Sequence, residues 1–142
     1  MKAINPLNAY KETQIKTANQ GKLIIMLYDG AVKNINLAID GIHKKHRKYD
    51  YVSNNVIKAQ DIIAELMVSL DFDNGGEIAK NLFGLYVYMN RQLLEANLKK
   101  EEKPLVEVKR MLVELREAWV EVSRKQDTAS GSQGNSGVNI AG

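Results

Sequence analysis

The chain has 142 residues, a net charge of +3, a pI near 9.0 and no cysteine. This length fits one domain with a substantial core, and the apolar and charged fractions of 44% and 26% are ordinary for a globular protein. The missing cysteines exclude a disulfide framework and thiol chemistry. The first residues lack the apolar stretch of a signal peptide, and no apolar run approaches the ~20 residues of a membrane-spanning helix. The sequence therefore predicts a cytoplasmic protein without membrane insertion.

Residues 1–19 form a polar lead-in with isolated apolar side chains. Too few apolar residues are present for a core, so we expect this segment to dock as a cap. A first helix is predicted over 20–42, and it is apolar around most of its circumference, which indicates a central or covered position. Asp29-Gly30 resembles a hairpin turn, but the helical period continues through it. Gly30 is therefore predicted to mark a close approach of another helix.

Two further helices are predicted over 51–70 and 77–98, separated by a turn at 71–76. Each carries apolar residues in steps of three and four, which is typical of a helix packed on one face. In the second helix the inward row is predicted to be Val52, Val56, Ala59, Ile63, Leu66 and Leu70. In the third it is predicted to be Ile78, Leu82, Leu85, Met89, Leu93 and Ala96.

The fourth predicted helix, over 104–125, carries two apolar rows. The inward row comprises Leu105, Val108, Leu112, Leu115, Trp119 and Val122. A second row, Val106, Val113 and Val120, lies about 100° round the helix and is flanked on both sides by charged residues. These valines are either scattered surface residues or a groove for a partner helix or extended peptide.

Together the patterns predict an all-α fold, an antiparallel up-down four-helix bundle. The expected organisation is an N-terminal cap segment at 1–19, the bundle at 20–125, and a flexible tail at 126–142, where the composition becomes rich in Gly and Ser.

Little in the chain indicates catalysis, and we expect no enzyme, catalytic residue, cofactor or metal. His43 and His46 could reach one ion from a helix face, but the neighbouring lysines and Arg47 would repel a cation. The basic run 43–48 has no interleaved aromatic residues, and it falls where cations complement the end of a helix. Nucleic acid is therefore not expected as a partner.

A series of short motifs, in order and without large gaps from residue 7 to about 122, resembles the flagellin-specific secretion chaperones of the FliS family. The stretches that carry the resemblance include Asn8-Ala9-Tyr10, Met26-Leu27-Tyr28-Asp29-Gly30-Ala31, Lys58-Ala59-Gln60, Leu70-Asp71, Gly75-Gly76-Glu77-Ile78-Ala79, Leu85-Tyr86, Tyr88-Met89 and Ala118-Trp119. Two positions depart from the family pattern. Gln20 stands where proline often opens the first helix, and Val87 stands where an acidic residue is common, which enlarges the apolar face of the third helix.

The resemblance implies a four-helix cytoplasmic export chaperone. Such a protein binds the disordered C-terminal segment of flagellin, prevents premature polymerisation and delivers flagellin to the flagellar type III export gate. The residues expected to contact partners are Leu7, Tyr10, Ile57, Phe83, Val87, Leu94, Val106, Val113 and Val120. Leu7 and Tyr10 are expected to act in the cap and in delivery. The alternatives are a helical adaptor for another protein and a bundle that forms homodimers or larger oligomers through its extra apolar faces.

Overall fold

The computed structural model describes residues 20–44 and 48–137, with side chains up to Lys125. These residues form four α-helices: α1 (Gln20–His43), α2 (Tyr49–Val68), α3 (Phe72–Lys99) and α4 (Glu102–Gly137). Residues 26–114 make up one compact unit, which contains most of α1, all of α2 and α3, and the start of α4. The described parts of 1–25 and 115–142 belong to a second unit.

Within the unit 26–114, successive helices run antiparallel. The backbone of Gly41 lies against the side chains of Tyr51 and Val52, whereas a Cβ added to Gly30 would lie 3.2 Å from Ile62 Cδ1. The C-terminal part of α1 thus lies against the N-terminal part of α2, and the middle of α1 lies against the C-terminal part of α2. The close approach predicted at Gly30 is confirmed, since a larger side chain there would press on α2.

The α2–α3 pair has the same antiparallel arrangement. Ser53 donates to Asn97 Oδ1 at 2.9 Å, and the side chains of Gln60 and Asn90 each donate to the other residue's backbone carbonyl. These bonds fix the register of α2 against α3 at two levels, because an amide in the wrong register would lose its carbonyl partner.

Helix α4 lies beside both α3 and α1. Glu107 accepts hydrogen bonds from Tyr88 at 2.9 Å and from Gln92 at 3.1 Å, both on α3. Near its start, Glu102 lies 2.5 Å from the Nε2 of His43 at the end of α1. The order around the unit is therefore α1, α2, α3, α4. The predicted antiparallel four-helix bundle is confirmed.

A buried hydrogen bond crosses the core between α1 and α3, which are not neighbours in the sequence. The hydroxyl oxygens of Tyr28 and Tyr86 lie 2.6 Å apart, and both side chains are almost fully buried. Burial raises the pKa of Tyr86, although the bond to Tyr28 opposes this shift. The core also contains Ile35, Ala38, Val52, Val56, Ile63, Leu66, Met89, Leu93, Leu105, Val108 and Leu112.

The inward row predicted for α3 is partly wrong. Ile78 and Leu85 are 70% and 39% exposed, whereas Ala79 and Tyr86 are buried with Met89, Leu93 and Ala96. Both rows have helical spacing, so periodicity alone cannot choose between them. The hydrogen bond between Tyr28 and Tyr86 selects the row that contains Tyr86, because an unpaired buried hydroxyl is costly.

The predicted turn at 71–76 is also shorter than expected. Asp71 caps α3 by accepting from the backbone N–H of Asn74 at 3.1 Å, so the first turn of helix forms directly after it. The backbone leaves helical geometry only at Gly76, with φ 52° and ψ −122°. Glycine adopts this left-handed φ without the steric cost of a Cβ.

The second unit contains the described N-terminal residues of α1, Gln20–Ile25, and the α4 residues from Leu115 onward. Leu115 and Trp119 of the predicted inward row are only half-buried, like Val113 and Val120 of the second row. Val122 is 46% exposed, and Ser123 is buried instead. Helix α4 continues past Lys125 to Gly137, although the apolar period that predicted it ends at Val122.

Candidate partner-binding surface

The described residues contain no group of three His, Cys, Asp or Glu side chains that could hold a metal ion. None of the helices they form is long and apolar enough to cross a membrane. The core leaves several large apolar side chains exposed, and grouped exposed apolar residues are typical of interaction surfaces.

Three of the predicted contact residues lie along one side of α3. Phe83, Val87 and Leu94 follow one another at four and seven residues, which places them within about 40° of each other on the helix surface. Asn90, whose amide bonds to α2, lies between them in the sequence and on the same side. The row therefore borders α2. Phe83 and Leu94 are 43% and 49% exposed, and Val87 is half-buried.

Ile57 supplies the facing residue on α2. It lies between Ser53 and Gln60, the two residues that bond to α3, and is 47% exposed. Because those bonds pair Ser53 with Asn97 and Gln60 with Asn90, Ile57 stands at the level of Leu94. The structure thus brings together the four residues that the sequence predicted separately on α2 and α3.

Further apolar residues extend this surface. Val68 lies on the same side of α2 as Ile57, about 20° round the helix, and is 80% exposed. Phe72 packs its ring against Phe83 in an edge-on contact with centroids 6.0 Å apart. We call the combined surface the apolar stripe. It consists of Ile57, Ala64, Val68, Phe72, Phe83, Val87 and Leu94.

Val68 and Phe72 were missed by the sequence analysis. Val68 could have been predicted from its spacing to Ile57, since a step of eleven residues returns to nearly the same side of a helix. Phe72 could not have been predicted from helical spacing, because it precedes the break at Gly76 and its position depends on the Asp71 cap.

The valine row of α4 lies elsewhere. Val106 and Val113 lie within about 40° of Glu102 on the helix surface, and Glu102 contacts α1. They are about 100° or more from Glu107, which contacts α3. The row therefore borders α1, on the opposite side of the unit from the apolar stripe. Val106 is 45% exposed and Val113 is half-buried.

The remaining predicted contacts lie outside that unit or outside the described residues. Val120 is half-buried and belongs to the second unit. Leu7 and Tyr10 lie outside the described residues.

Comparisons with known proteins show the family of the chain. The family model described as "Flagellar protein FliS" matches residues 3–126. The chain belongs to the FliS family. The resemblance found in the sequence is confirmed, and FliS proteins are chaperones rather than enzymes.

Named FliS relatives resemble the chain over most of its length. The flagellar secretion chaperone FliS of Bacillus subtilis is 35% identical over 130 residues, which cover 89% of this chain and 95% of the relative. The chaperone of the same name from Salmonella typhimurium is 38% identical over 117 residues, covering 80% and 84%. That of Escherichia coli is 34% identical over 111 residues, covering 78% and 80%.

Proposed function

We propose that this protein is a cytoplasmic export chaperone that binds the disordered C-terminal segment of flagellin, prevents its premature polymerisation and delivers it to the flagellar type III export gate. Membership of the FliS family supports the chaperone role. The observation that supports a peptide-binding mechanism is the apolar stripe, on which large side chains of two adjacent helices remain exposed at matching levels.

The shape of the stripe suits an amphipathic or extended segment. From Ile57 to Val68 it runs for about 16 Å along α2, at 1.5 Å per residue. A segment lying between α2 and α3 would contact apolar residues on both sides of it, as helix-in-groove recognition requires. The apolar side chains of the bound segment would leave water along with those of the stripe.

This mechanism needs no turnover. The disordered segment of flagellin exposes the apolar residues through which flagellin molecules would associate with each other. The chaperone buries these residues instead. Ordering such a segment costs about 2–5 kcal/mol of the gross interaction energy. The affinity is consequently lower than the contact area suggests, which suits a partner that must later be released.

We assign the N-terminal segment, with Leu7 and Tyr10, to a cap that competes for part of the binding surface and contacts the export gate. Its few apolar residues support this role, because they gain burial only on another surface. Deleting residues 1–15 is expected to leave flagellin binding intact or tighter while delivery falls. Complete loss of binding by a folded deletion variant would contradict the cap.

Titration calorimetry with a flagellin C-terminal peptide tests the proposal. The wild-type protein should bind the peptide, and Leu94→Lys should weaken binding by at least about tenfold, or ~1.4 kcal/mol, because an ammonium group would be buried against apolar residues. Val106→Lys is the matched comparison, since Val106 is similarly exposed on the other side of the unit, at 45% against 49% for Leu94. It tests whether the valine row Val106, Val113 and Val120, the other predicted contact, also takes part in binding.

Two results would contradict this function. If the wild-type protein shows no affinity for the peptide, the partner is not flagellin. If the protein elutes as a stable dimer that Leu94→Lys converts to monomers without peptide involvement, the stripe is a contact between copies of the chain.

A further inference from the structure

One end of the unit 26–114 gathers lysines that lie at or next to the ends of all four helices, together with two exposed tyrosines of α2. Helices α1 and α3 end there, and α2 and α4 begin there, as the contacts His43–Glu102 and Lys100–Ser53 show. Two depressions of about 810 and 560 Å³ open on this end. The first is lined chiefly by His43, Lys44, Lys99, Lys100, Glu102 and Lys103, and the second by Lys48, Tyr49, Asp50, Tyr51 and Asn54.

Lys100 joins the two depressions. Its backbone is left-handed, with φ 51° and ψ 48°, a conformation that disfavours residues with a Cβ. Its ammonium donates to the carbonyl and side-chain oxygens of Asn97, each at 2.6 Å, and to Ser53 Oγ at 3.0 Å. It also lies 5.8 Å from the centre of the Tyr49 ring. Lys100 therefore holds Tyr49 and the end of α3 in a fixed relation.

Helix capping explains only some of the positive charge. Lys44 and Lys99 lie at the C-terminal ends of α1 and α3, where the helix dipole favours cations. Lys48 is the N-cap residue of α2 and makes no side-chain capping bond, and Lys103 lies in the first turn of α4. At helix N-termini a positive charge is unfavourable. The stability of the fold therefore gives no reason for these two exposed lysines.

The exposed aromatic residues point to a protein partner. Tyr49 and Tyr51 are 53% and 39% exposed, and tyrosine is enriched where proteins contact each other. The carboxylates of Asp50, Glu101 and Glu102 are interspersed among the lysines. A peptide with spaced acidic residues can place its carboxylates opposite the lysines and its N–H donors opposite these carboxylates, whereas a nucleic acid or an anionic lipid surface presents uninterrupted negative charge.

We propose that this end of the bundle is a second docking surface, which binds an acidic segment of a partner protein through Lys48 and Lys103 with Tyr49 as the aromatic contact. It is distinct from the apolar stripe, since Tyr49 and Tyr51 precede Ile57 on α2 by more than a helical turn. The inference goes beyond the proposed function, because it does not depend on flagellin being the occupant of the stripe.

The test uses a short fluorescein-labelled peptide rich in Glu and Asp with flanking leucines, and its twin with Gln and Asn in their place. Fluorescence anisotropy on the full chain at ~0.15 M salt, where the Debye length is about 8 Å, should show at least about tenfold tighter binding of the acidic peptide, since complementary charge favours association. The double variant Lys48→Glu/Lys103→Glu should lose at least about tenfold in affinity. Its melting temperature should stay unchanged or rise, because acidic residues favour helix N-termini.

The matched control is Lys33→Glu/Lys58→Glu, which makes the same charge change at exposed lysines in the middle of α1 and α2. It should retain acidic-peptide affinity within about twofold, as for a charge far from the site. Flagellin-peptide titration should be the same for wild type and Lys48→Glu/Lys103→Glu, which separates this proposal from the function assigned to the stripe.

Equal binding of the acidic and neutral peptides would overturn the proposal, as would equal losses in the two double variants. A loss of flagellin-peptide affinity in Lys48→Glu/Lys103→Glu would overturn it by making this end part of the flagellin surface. Tighter binding of a single-stranded oligonucleotide or of phosphatidylserine vesicles than of the acidic peptide would also overturn it, in favour of a phosphate ligand.

Discussion

The apolar stripe and the valine row of α4 look alike in the sequence and differ in the structure. Both are apolar residues at helical spacing among charged neighbours. The stripe combines residues of α2 and α3 at matching levels, so the apolar surface continues across two helices. Val106 and Val113 line a single helix, and Val113 is already half-buried. A surface shared by two helices can contact a bound partner from two sides, whereas a row on one helix contacts the partner from one side only.

The largest expected effect separates the stripe from the core beside it. Leu93 is fully buried and Leu94 is 49% exposed, so the same substitution at neighbouring positions tests opposite environments. Leu93→Lys should destabilise the protein by about 3 kcal/mol or more or prevent folding, because it buries an unpaired charge. Leu94→Lys should change stability by no more than about 0.5 kcal/mol. Thermal melting measures both, and unfolding by Leu94→Lys would show that the stripe is core.

Within the valine row, Val106 and Val113 are expected to differ in how much they contribute to stability. Val113→Lys should destabilise by about 1–2 kcal/mol, because its half-buried side chain loses apolar contact and part of an ammonium is desolvated. Val106→Lys should cost no more than about 0.5 kcal/mol. Chemical denaturation gives both values. If Val106→Lys weakens flagellin-peptide binding as strongly as Leu94→Lys does, the peptide uses both sides of the unit and the contrast between them disappears.

An effect of similar size is expected from the hydrogen bond between Tyr28 and Tyr86 in the core between the two surfaces. Tyr86→Phe should cost about 1–2 kcal/mol, because it leaves the buried hydroxyl of Tyr28 without this partner. Replacing both tyrosines by phenylalanine should recover part of that loss, since no buried hydroxyl then lacks this bond. A double-mutant cycle in denaturant measures the coupling. Additive losses would show that the two hydroxyls do not depend on each other.

The smallest effect concerns the end of the stripe at Phe72. The backbone N–H of Asn74 lowers the pKa of the Asp71 carboxyl that caps α3, with a further contribution from the Asn74 side chain. A carboxyl with a lowered pKa in the folded state stabilises above its unfolded pKa, near 3.9, and this stabilisation is lost as pH falls through the folded value. Amide exchange at Asn74 should therefore quicken, relative to the intrinsic rate, on acidification below about pH 4.

Asp71→Asn is the control for this cap. It keeps a side-chain acceptor but removes the titrating carboxyl. Its Asn74 protection should show no such change with pH. The same acid-induced loss in both proteins would show that another group controls the start of α3.

The sequence by itself determined the number and order of the helices and the family, although not the full lengths of α3 and α4. The period of apolar residues and the position of helix-breaking residues are local properties of the sequence, so the predicted ends of α1 and α2 lie within two residues of the observed ones. Gly30 was also correctly predicted as a position where another helix approaches closely. The Met26–Ala31 motif and the other ordered motifs identified the family because residue identities carry that information directly. The residues proposed as contacts on α2 and α3 were also candidates from their positions outside the inward rows.

Only the tertiary structure decided which of those residues belong together. Ile57 faces Leu94 because the reciprocal Gln60–Asn90 bonds set the register of two helices, and no period within one helix contains that information. The choice of Tyr86 over Leu85 for the core likewise depends on a partner in α1, 58 residues away. Periodicity describes one helix at a time, whereas burial depends on the neighbours that the other helices supply.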